Sequence, residues 1–196
     1  MRTAYIAHPA CQQHDTGPEH PECPNRLHAI EDQFISTGLL DTLRYVEAPQ
    51  ATTEQLLRVH TREHVELVVA AIPDSGYARL DPDTIVSQGS LAAAYHAAGA
   101  VAAAVDLVLA GEVDSAFCAV RPPGHHAERG RAMGFCLFNN VAVGAYHALH
   151  QHGVERIAIV DFDVHHGNGT EDIVAADERI LFCSTFQHPF YPYSGS

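Results

Sequence analysis

Short apolar runs alternate with helical patterns along this chain. Four runs rich in Ala, Val, Ile and Phe predict β-strands over 4–7, 116–120, 157–160 and 180–184, the last three of them buried. The last run is apolar on both faces, which is typical of a central strand in a parallel sheet. Strands that alternate with helices are typical of βαβ units, so the pattern predicts an α/β fold around a parallel sheet.

Apolar residues three or four positions apart predict the helices. The first follows residues 24–26, places Leu27, Ile30, Phe34 and Ile35 on one face and stops at Gly38. Ser90 is expected to cap a long Ala-rich helix that ends near Gly111. Further helices are predicted after Thr52, over 65–72 behind a capping start at Thr61, over 140–150 and over 170–176. Gly and Pro without periodicity predict loops over 8–24, 74–89 and 121–134.

The composition narrows the classes of function. The chain carries 24 acidic and 11 basic side chains and a net charge of −13, which argues against a nucleic-acid partner because such proteins neutralise phosphates with Lys and Arg. We find no apolar run of membrane-spanning length and no secretory pattern, and therefore expect no membrane partner. The five Cys lie far apart without a CxxC pair, which indicates a reducing, cytoplasmic compartment. A homo-oligomer is compatible with this composition.

Histidine is used heavily, with 15 residues, several of them in adjacent pairs beside Gly, Pro and Asp. One pair follows the predicted strand 157–160, at the strand end where ligands of open parallel sheets collect. Alternate residues of an extended segment share a face, so Asp161, Asp163 and His165 are expected to point one way, with Phe162 and Val164 packed on the other. Two carboxylates and an imidazole on one face predict a divalent cation with O and N ligands. The alternative is a helix-capping Asp beside a surface His.

A second loop, 121–127, follows the strand 116–120 and carries His125 and His126. Its two prolines stiffen the chain, and Gly124 permits a tight turn, so both imidazoles can reach one cavity. Two imidazoles can divide proton transfer and charge stabilisation between them. The alternative is a pair of exposed surface histidines.

These loops, together with 17–22, Arg26, 134–140 and 184–195, resemble the histone deacetylase superfamily on its bacterial and class II side, including acetylpolyamine amidohydrolases. The resemblance runs from the first strand to the last residue. It implies a three-layer arginase/deacetylase-like α/β fold, with a central parallel sheet flanked by helices. It also implies a zinc-dependent amidohydrolase that removes an acetyl or other acyl group from an acylated lysine protein or a polyamine.

The resemblance also implies roles for individual residues. Asp163 and His165 would be zinc ligands. His126 would be the general base and then the acid, while His125 would stabilise the oxyanion. Asp161 would accept a hydrogen bond from His125. Asn168 would orient His126, and this neutral amide, where many members have Asp, should leave His126 less basic.

Further residues would form the substrate channel and the potassium sites. Phe135 and Tyr191 resemble an aromatic pair around the acyl-lysine stem. Gly134 would let the backbone approach the substrate, and Asp83 resembles a residue at the rim that accepts hydrogen bonds from substrate backbone amides. A structural potassium site would use Asp161, Asp163, His165, Ser184 and Thr185. A second would use the backbone around Val174, Asp177 and Ile180.

The family domain is about half as long again or more, so we expect residues 1–196 to be a single deacetylase-like domain that is incomplete at its C-terminus. The third zinc ligand, a second Asp, and the Tyr or His that polarises the substrate carbonyl are expected beyond Ser196, as are the remaining strands. Two alternatives stay open: an inactive fragment or metal-binding interaction module, and a manganese ureohydrolase. His125 and His126, together with residues 134–136, argue against the second.

Overall fold

The computed structural model describes residues 2–195. Its strands are β1 (Thr3–Ala7), β2 (Arg44–Glu47), β3 (Ala78–Asp81), β4 (Thr84–Val86), β5 (Ser115–Cys118), β6 (Ile157–Asp161) and β7 (Ile180–Ser184). Its α-helices are α1 (Asn25–Ser36), α2 (Thr53–Leu57), α3 (Arg62–Ala70), α4 (Ser90–Leu109), α5 (Asn140–Gln151) and α6 (Asn168–Val174). The four predicted strands and six predicted helices are therefore confirmed, with ends shifted by a few residues.

The strands form two parallel units and one hairpin. In the first unit β1 lies between β2 and β5, and in the second β6 pairs with β7. The antiparallel hairpin of β3 and β4 lies within 74–89, so the prediction of a loop there was wrong. Its strands are short and Pro82 interrupts the pattern. The strand β2 was not predicted because most of its residues are polar or exposed.

The long helix α4 packs against α5, β5 and β1. Its small residues permit close approach: a Cβ at Gly99 would lie 2.0 Å from the carbonyl oxygen of Pro49. We expected Ser90 to be the N-cap of this helix, but it is the first helical residue. Its hydroxyl accepts a hydrogen bond from the backbone N–H of Ser87 at 2.8 Å. By length and composition α4 is long and apolar enough to cross a membrane, so our finding that no run reaches that length was wrong. Alanine supplies much of this apolar character, and several of the alanines, among them Ala93, Ala97 and Ala98, are buried.

An apolar cleft of about 790 Å³ separates β5 from β6, with Cys118 on one side and Ile159 on the other. Among residues 2–195, β7 pairs with β6 alone, and its Leu181 is 61% exposed. The expectation that 180–184 is a buried central strand is therefore wrong for the described chain. The carboxyl ends of β5 and β6 still lead into the two His-bearing loops, which meet at one edge of the fold.

The start of the loop after β5 is anchored by a buried ion pair. Arg121 and Glu22 are both buried. The guanidinium donates from Nε to Oε1 of Glu22 at 2.6 Å and from Nη2 to Oε2 at 2.5 Å. A third bond reaches the carbonyl oxygen of Cys11. This pair fixes the loop that carries His125 and His126 against the N-terminal segment.

Candidate active site

His125 is held by a carboxylate at the end of β6. Its Nδ1 lies 2.9 Å from Oδ2 of Asp161. Burial alone would raise the pKa of Asp161, but hydrogen bonds from the His125 side chain and the Asp163 backbone outweigh it and lower that pKa. An ionised carboxylate only accepts, so Nδ1 of His125 carries the proton and donates. The absence of a side chain at Gly167 makes room for this pair, since a Cβ there would lie 2.4 Å from Oδ2 of Asp161.

His126 is held by a neutral amide. Its Nδ1 lies 2.8 Å from Oδ1 of Asn168, and Nδ2 of Asn168 donates to Oε1 of Glu128 at 2.9 Å. Because Glu128 fixes which end of the amide faces the ring, Nδ1 of His126 carries the proton and Nε2 is left as the basic atom. Burial, followed by the neighbouring His125, lowers the pKa of His126 to about 4. Glu128 was missed at the sequence level, because no pattern around it indicates this contact.

The backbone at Gly134 and Phe135 lies directly against His126. Both residues have positive φ, +56° and +68°. A Cβ at Gly134 would lie 2.4 Å from Cδ2 of His126. We expected Gly134 to let the backbone approach the substrate, whereas the described close approach is to the His126 ring. The Phe135 N–H donates to Oγ1 of Thr84 at 3.1 Å, which ties this turn to the β3–β4 hairpin.

Asp163 and His165 lie beyond the end of β6, on a bend of the chain. Oδ1 of Asp163 lies 3.0 Å from Nδ1 of His165 and accepts the His165 backbone N–H at 2.7 Å. Phe162 is 87% exposed and Val164 is 48% exposed, so the expectation that they pack on an opposite, buried face was wrong. The reason is that the strand ends at Asp161, and its two-residue alternation ends with it.

The donor set of this pair suits a divalent metal. A carboxylate oxygen and an imidazole nitrogen converge, and the His165 ring lies 5.9 Å from that of His126. Zinc accepts both donor types. Within residues 2–195, these two side chains have no third His, Cys, Asp or Glu grouped with them.

The aromatic residues named from the sequence approach this centre differently. Tyr191 packs edge-on against His126 with ring centroids 5.1 Å apart, while Phe135 packs edge-on against His20 at 4.8 Å. Burial raises the pKa of Tyr191, and the nearby carboxylate of Asp83 raises it further. Burial, with hydrogen bonding to Asp81, raises the pKa of Asp83 in turn.

The predicted potassium positions lie where β6 and β7 end together. Asp161 is in register with Ser184, and the Thr185 N–H donates to the Asp161 carbonyl at 3.0 Å. The buried Ser184 hydroxyl has no hydrogen-bond partner among the described residues, so its oxygen is free to coordinate a cation. At the second predicted position, the carbonyls of Val174 and Asp177 accept the N–H groups of Asp177 and Ile180.

Comparison with known proteins gives a consistent result. The histone deacetylase domain family matches residues 20–196. The chain is 45% identical over 188 residues to the Synechocystis sp. protein slr0245, covering 94% of this chain and 61% of that protein. It is 38% identical over 214 residues to a histone deacetylase-like amidohydrolase of Pseudomonas aeruginosa, covering 100% of this chain and 56% of that one.

The fold has a close counterpart among solved structures. The crystal structure of the HDA15 HD domain superposes with a TM-score of 0.94 at 37% identity, covering 100% of this chain and 57% of that chain. The chain thus spans about three-fifths of the length of these three proteins. The expected arginase/deacetylase-like α/β fold is confirmed. With the family match extending over residues 20–196, the chain belongs to the histone deacetylase domain family.

Proposed function

We propose that this chain carries the proton-transfer residues and two metal ligands of an amidohydrolase that removes an acyl group from an acylated lysine or polyamine. One observation carries the proposal. Two adjacent imidazoles, one held by a carboxylate and one by a neutral amide, lie beside a carboxylate–imidazole donor pair. Groups in such different settings divide acid, base and charge-stabilising roles among themselves.

His126 is the proposed proton carrier. Its Nδ1–H is engaged by Asn168, so Nε2 accepts the proton of the attacking water as the new C–O bond forms. When the C–N bond breaks, the same proton passes to the leaving amine, and the products are a carboxylic acid and a free amine. The lowered pKa of His126 keeps Nε2 unprotonated and ready to accept. Glu128 is the proposed positioning residue, since it sets the orientation of Asn168.

His125 is the proposed partner for the developing oxyanion. It donates from Nδ1 to Asp161, and an ionised carboxylate in that position stabilises a positively charged ring. A cationic His125 would offset negative charge on the substrate oxygen while His126 transfers the proton. The ring centroids of the two histidines are 4.0 Å apart, so both can serve one reacting amide.

Asp163 and His165 are the proposed ligands of a zinc ion. Bound there, zinc would polarise the acyl carbonyl and lower the pKa of water. We also propose Gly134, Phe135, Tyr191 and Asp83 as the substrate channel, with the aromatic rings around a methylene stem. Potassium is proposed as a structural ion at Asp161 and Ser184, on the support of the unpartnered Ser184 hydroxyl.

The test is hydrolysis of an acetyl-lysine peptide and of an N-acetylated polyamine by the zinc-loaded protein. Release of acetate that stops after chelation and returns with zinc would support the proposal. The substrate that is hydrolysed faster would show whether the protein prefers an acylated lysine or an acylated polyamine. Metal binding without acetate release would favour a metal-binding module instead. Release of urea from arginine with manganese would favour a ureohydrolase.

A further inference from the structure

A second group of metal-ligand side chains lies between α4 and α5. Oδ1 of Asp106 on α4 lies 2.7 Å from Nε2 of His147 on α5 and 2.6 Å from Nε2 of His152, which caps the C-terminus of α5. All three ligand atoms lie within 4.8 Å of one another. The cluster is near the end of α5 that is remote from Asn139, the N-cap that contacts the His125–His126 loop.

We infer that Asp106, His147 and His152 form a binding site for one divalent transition-metal ion, separate from the Asp163–His165 pair. Two imidazole nitrogens and one carboxylate oxygen are a donor set that zinc, cobalt and nickel accept. The rings of His147 and His152 are inclined at 75° with centroids 5.7 Å apart, so the two imidazoles approach the carboxylate without stacking on each other. The fourth position would be left for water.

The geometry needs only a small adjustment. Zinc–ligand bonds of about 2.0–2.1 Å place tetrahedral donors about 3.3 Å apart, so the O–N separations must open by roughly 0.6 Å. The Asp106 side chain is half exposed and His152 lies at the helix end, so both have room to move.

Gln55 on α2 controls the proton of His147. Its Nε2 lies 3.1 Å from Nδ1 of His147, while its Oε1 accepts the Thr52 backbone N–H at 2.8 Å in a capping box. In this orientation the amide donates to Nδ1, which leaves the proton of neutral His147 on Nε2, facing Asp106. A metal on Nε2 requires that proton to leave or move to Nδ1. Gln55 must then turn its Oε1 toward the His147 ring and lose the hydrogen bond from the Thr52 backbone N–H.

This constraint makes a specific substitution informative. Gln55→Glu offers carboxylate oxygens both to the Thr52 N–H and to a protonated Nδ1 of His147. Glu at this helix position also completes a capping box, so the helix should be retained. A carboxylate behind a metal-bound imidazole raises the basicity of the ligand. We therefore expect Gln55→Glu to tighten metal binding at the cluster by about tenfold.

The experiment isolates the cluster from the proposed catalytic pair. In the protein carrying Asp163→Asn and His165→Gln, calorimetric titration with Zn²⁺ and visible absorption with Co²⁺ should report one ion per chain. Adding His152→Gln or Asp106→Asn should weaken binding at least tenfold and abolish the tetrahedral cobalt bands. His150→Gln, an exposed histidine on the same helix, is the matched control and should leave binding unchanged.

Two sets of results would contradict the proposed metal site. Unchanged binding in both His152→Gln and Asp106→Asn, or no saturable binding in the starting variant, would overturn the site. Failure of Gln55→Glu to tighten binding would overturn the assignment of His147 Nε2 as a ligand. Circular dichroism verifies folding, and His152→Gln removes one hydrogen bond to Asp106 at an exposed helix end. Deacylation is not the readout, so the result is independent of the proposed function.

Discussion

His60 accepts the backbone N–H of Asn139 at its Nε2 atom, at 2.9 Å. Its Nδ1 donates to the carbonyl of Glu128 at 3.0 Å. The fully buried ring thus joins the N-cap of α5 to the residue that orients Asn168. Both ring nitrogens are committed in the neutral state, and a second proton on Nε2 would face the Asn139 N–H. His60 is therefore a structural, neutral histidine one step removed from the proposed active site.

The stability of the protein should fall at mildly acidic pH because of His60. Burial, with the neighbouring His64 as the second cause, lowers the pKa of His60 from 6.5 to about 3. The unfolded chain therefore binds the proton first, and the stabilisation is complete above pH 6.5 and lost as the pH falls toward 3. At pH 5 the loss is roughly 2 kcal/mol at about 1.4 kcal/mol per unit. Urea unfolding at pH 7.5 and pH 5 measures the total loss of stability, to which the lowered pKa values of His14 and His126 also contribute.

His60→Gln is the matching variant. It should be less stable at pH 7.5 but lose less stability between pH 7.5 and 5, because the titrating group is gone. His28→Gln, on an exposed face of α1, is the control and should keep the wild-type pH dependence. Equal pH dependence in wild type and His60→Gln would contradict the assignment.

Replacing His126 should remove turnover while leaving the metal pair intact. We expect His126→Ala to lower kcat by roughly two to four orders of magnitude, the usual contribution of a positioned acid or base. The His125→Ala variant should be less affected. Zinc content and circular dichroism should match wild type, because His126 is hydrogen-bonded to Asn168 rather than part of the Asp163–His165 pair. A His126→Ala enzyme with wild-type kcat would exclude this residue as the proton carrier.

Gly134 and Gly130 offer a matched pair of substitutions. A Cβ at Gly134 would lie 2.4 Å from the His126 ring, and its φ of +56° disfavours any side chain by about 1–2 kcal/mol. A Cβ at Gly130 would meet nothing within 4 Å. Gly134→Ala should therefore displace His126 and lower kcat/KM by about 100-fold, and Gly130→Ala should not. Equal kinetics for the two variants would show that His126 tolerates displacement.

Breaking the buried pair of Arg121 and Glu22 should destabilise the fold strongly. Glu22→Gln leaves a guanidinium with no exposed surface and no counter-charge, which costs about 3–5 kcal/mol in comparable pairs. The exposed pair of Arg44 and Glu112 is the control, since Arg44→Met should cost less than about 1 kcal/mol. Urea unfolding of both variants gives the comparison, and similar losses would mean that the Glu22 carboxylate is hydrated in solution.

The sequence predicted those parts of the site that lie on short strand-end segments. Asp161, Asp163 and His165 are two residues apart after β6, and His125 and His126 are adjacent after β5, so a reading of local pattern finds them. The same reading failed one residue past Asp161, where the strand ends and Phe162 becomes exposed. Local periodicity cannot report where a strand stops pairing.

Contacts between segments far apart in the sequence could not be predicted. Asp106 lies 41 residues from His147 and 46 from His152, and only the packing of α4 on α5 brings them together. Glu128 reaches Asn168 across 40 residues through a folded loop. No periodicity or motif encodes such pairs, because each depends on the relative placement of two elements that the sequence predicts only separately.

The exposed edge of the β6–β7 pair should cause self-association when residues 1–196 are produced by themselves. Val160 is 67% exposed and Leu181 is 61% exposed, on strands whose outer edges are unpaired among residues 2–195. Unpaired apolar strands recruit other strands, and a charged side chain on the edge opposes this. We expect light scattering after size-exclusion chromatography to give masses above 21.2 kDa that rise with concentration. Leu181→Lys should shift the population toward monomer. The control variant Leu67→Lys makes the same change at a 54% exposed position of α3 and should leave the masses unchanged. An equal shift in both variants would mean that general surface hydrophobicity, rather than the strand edge, causes the association.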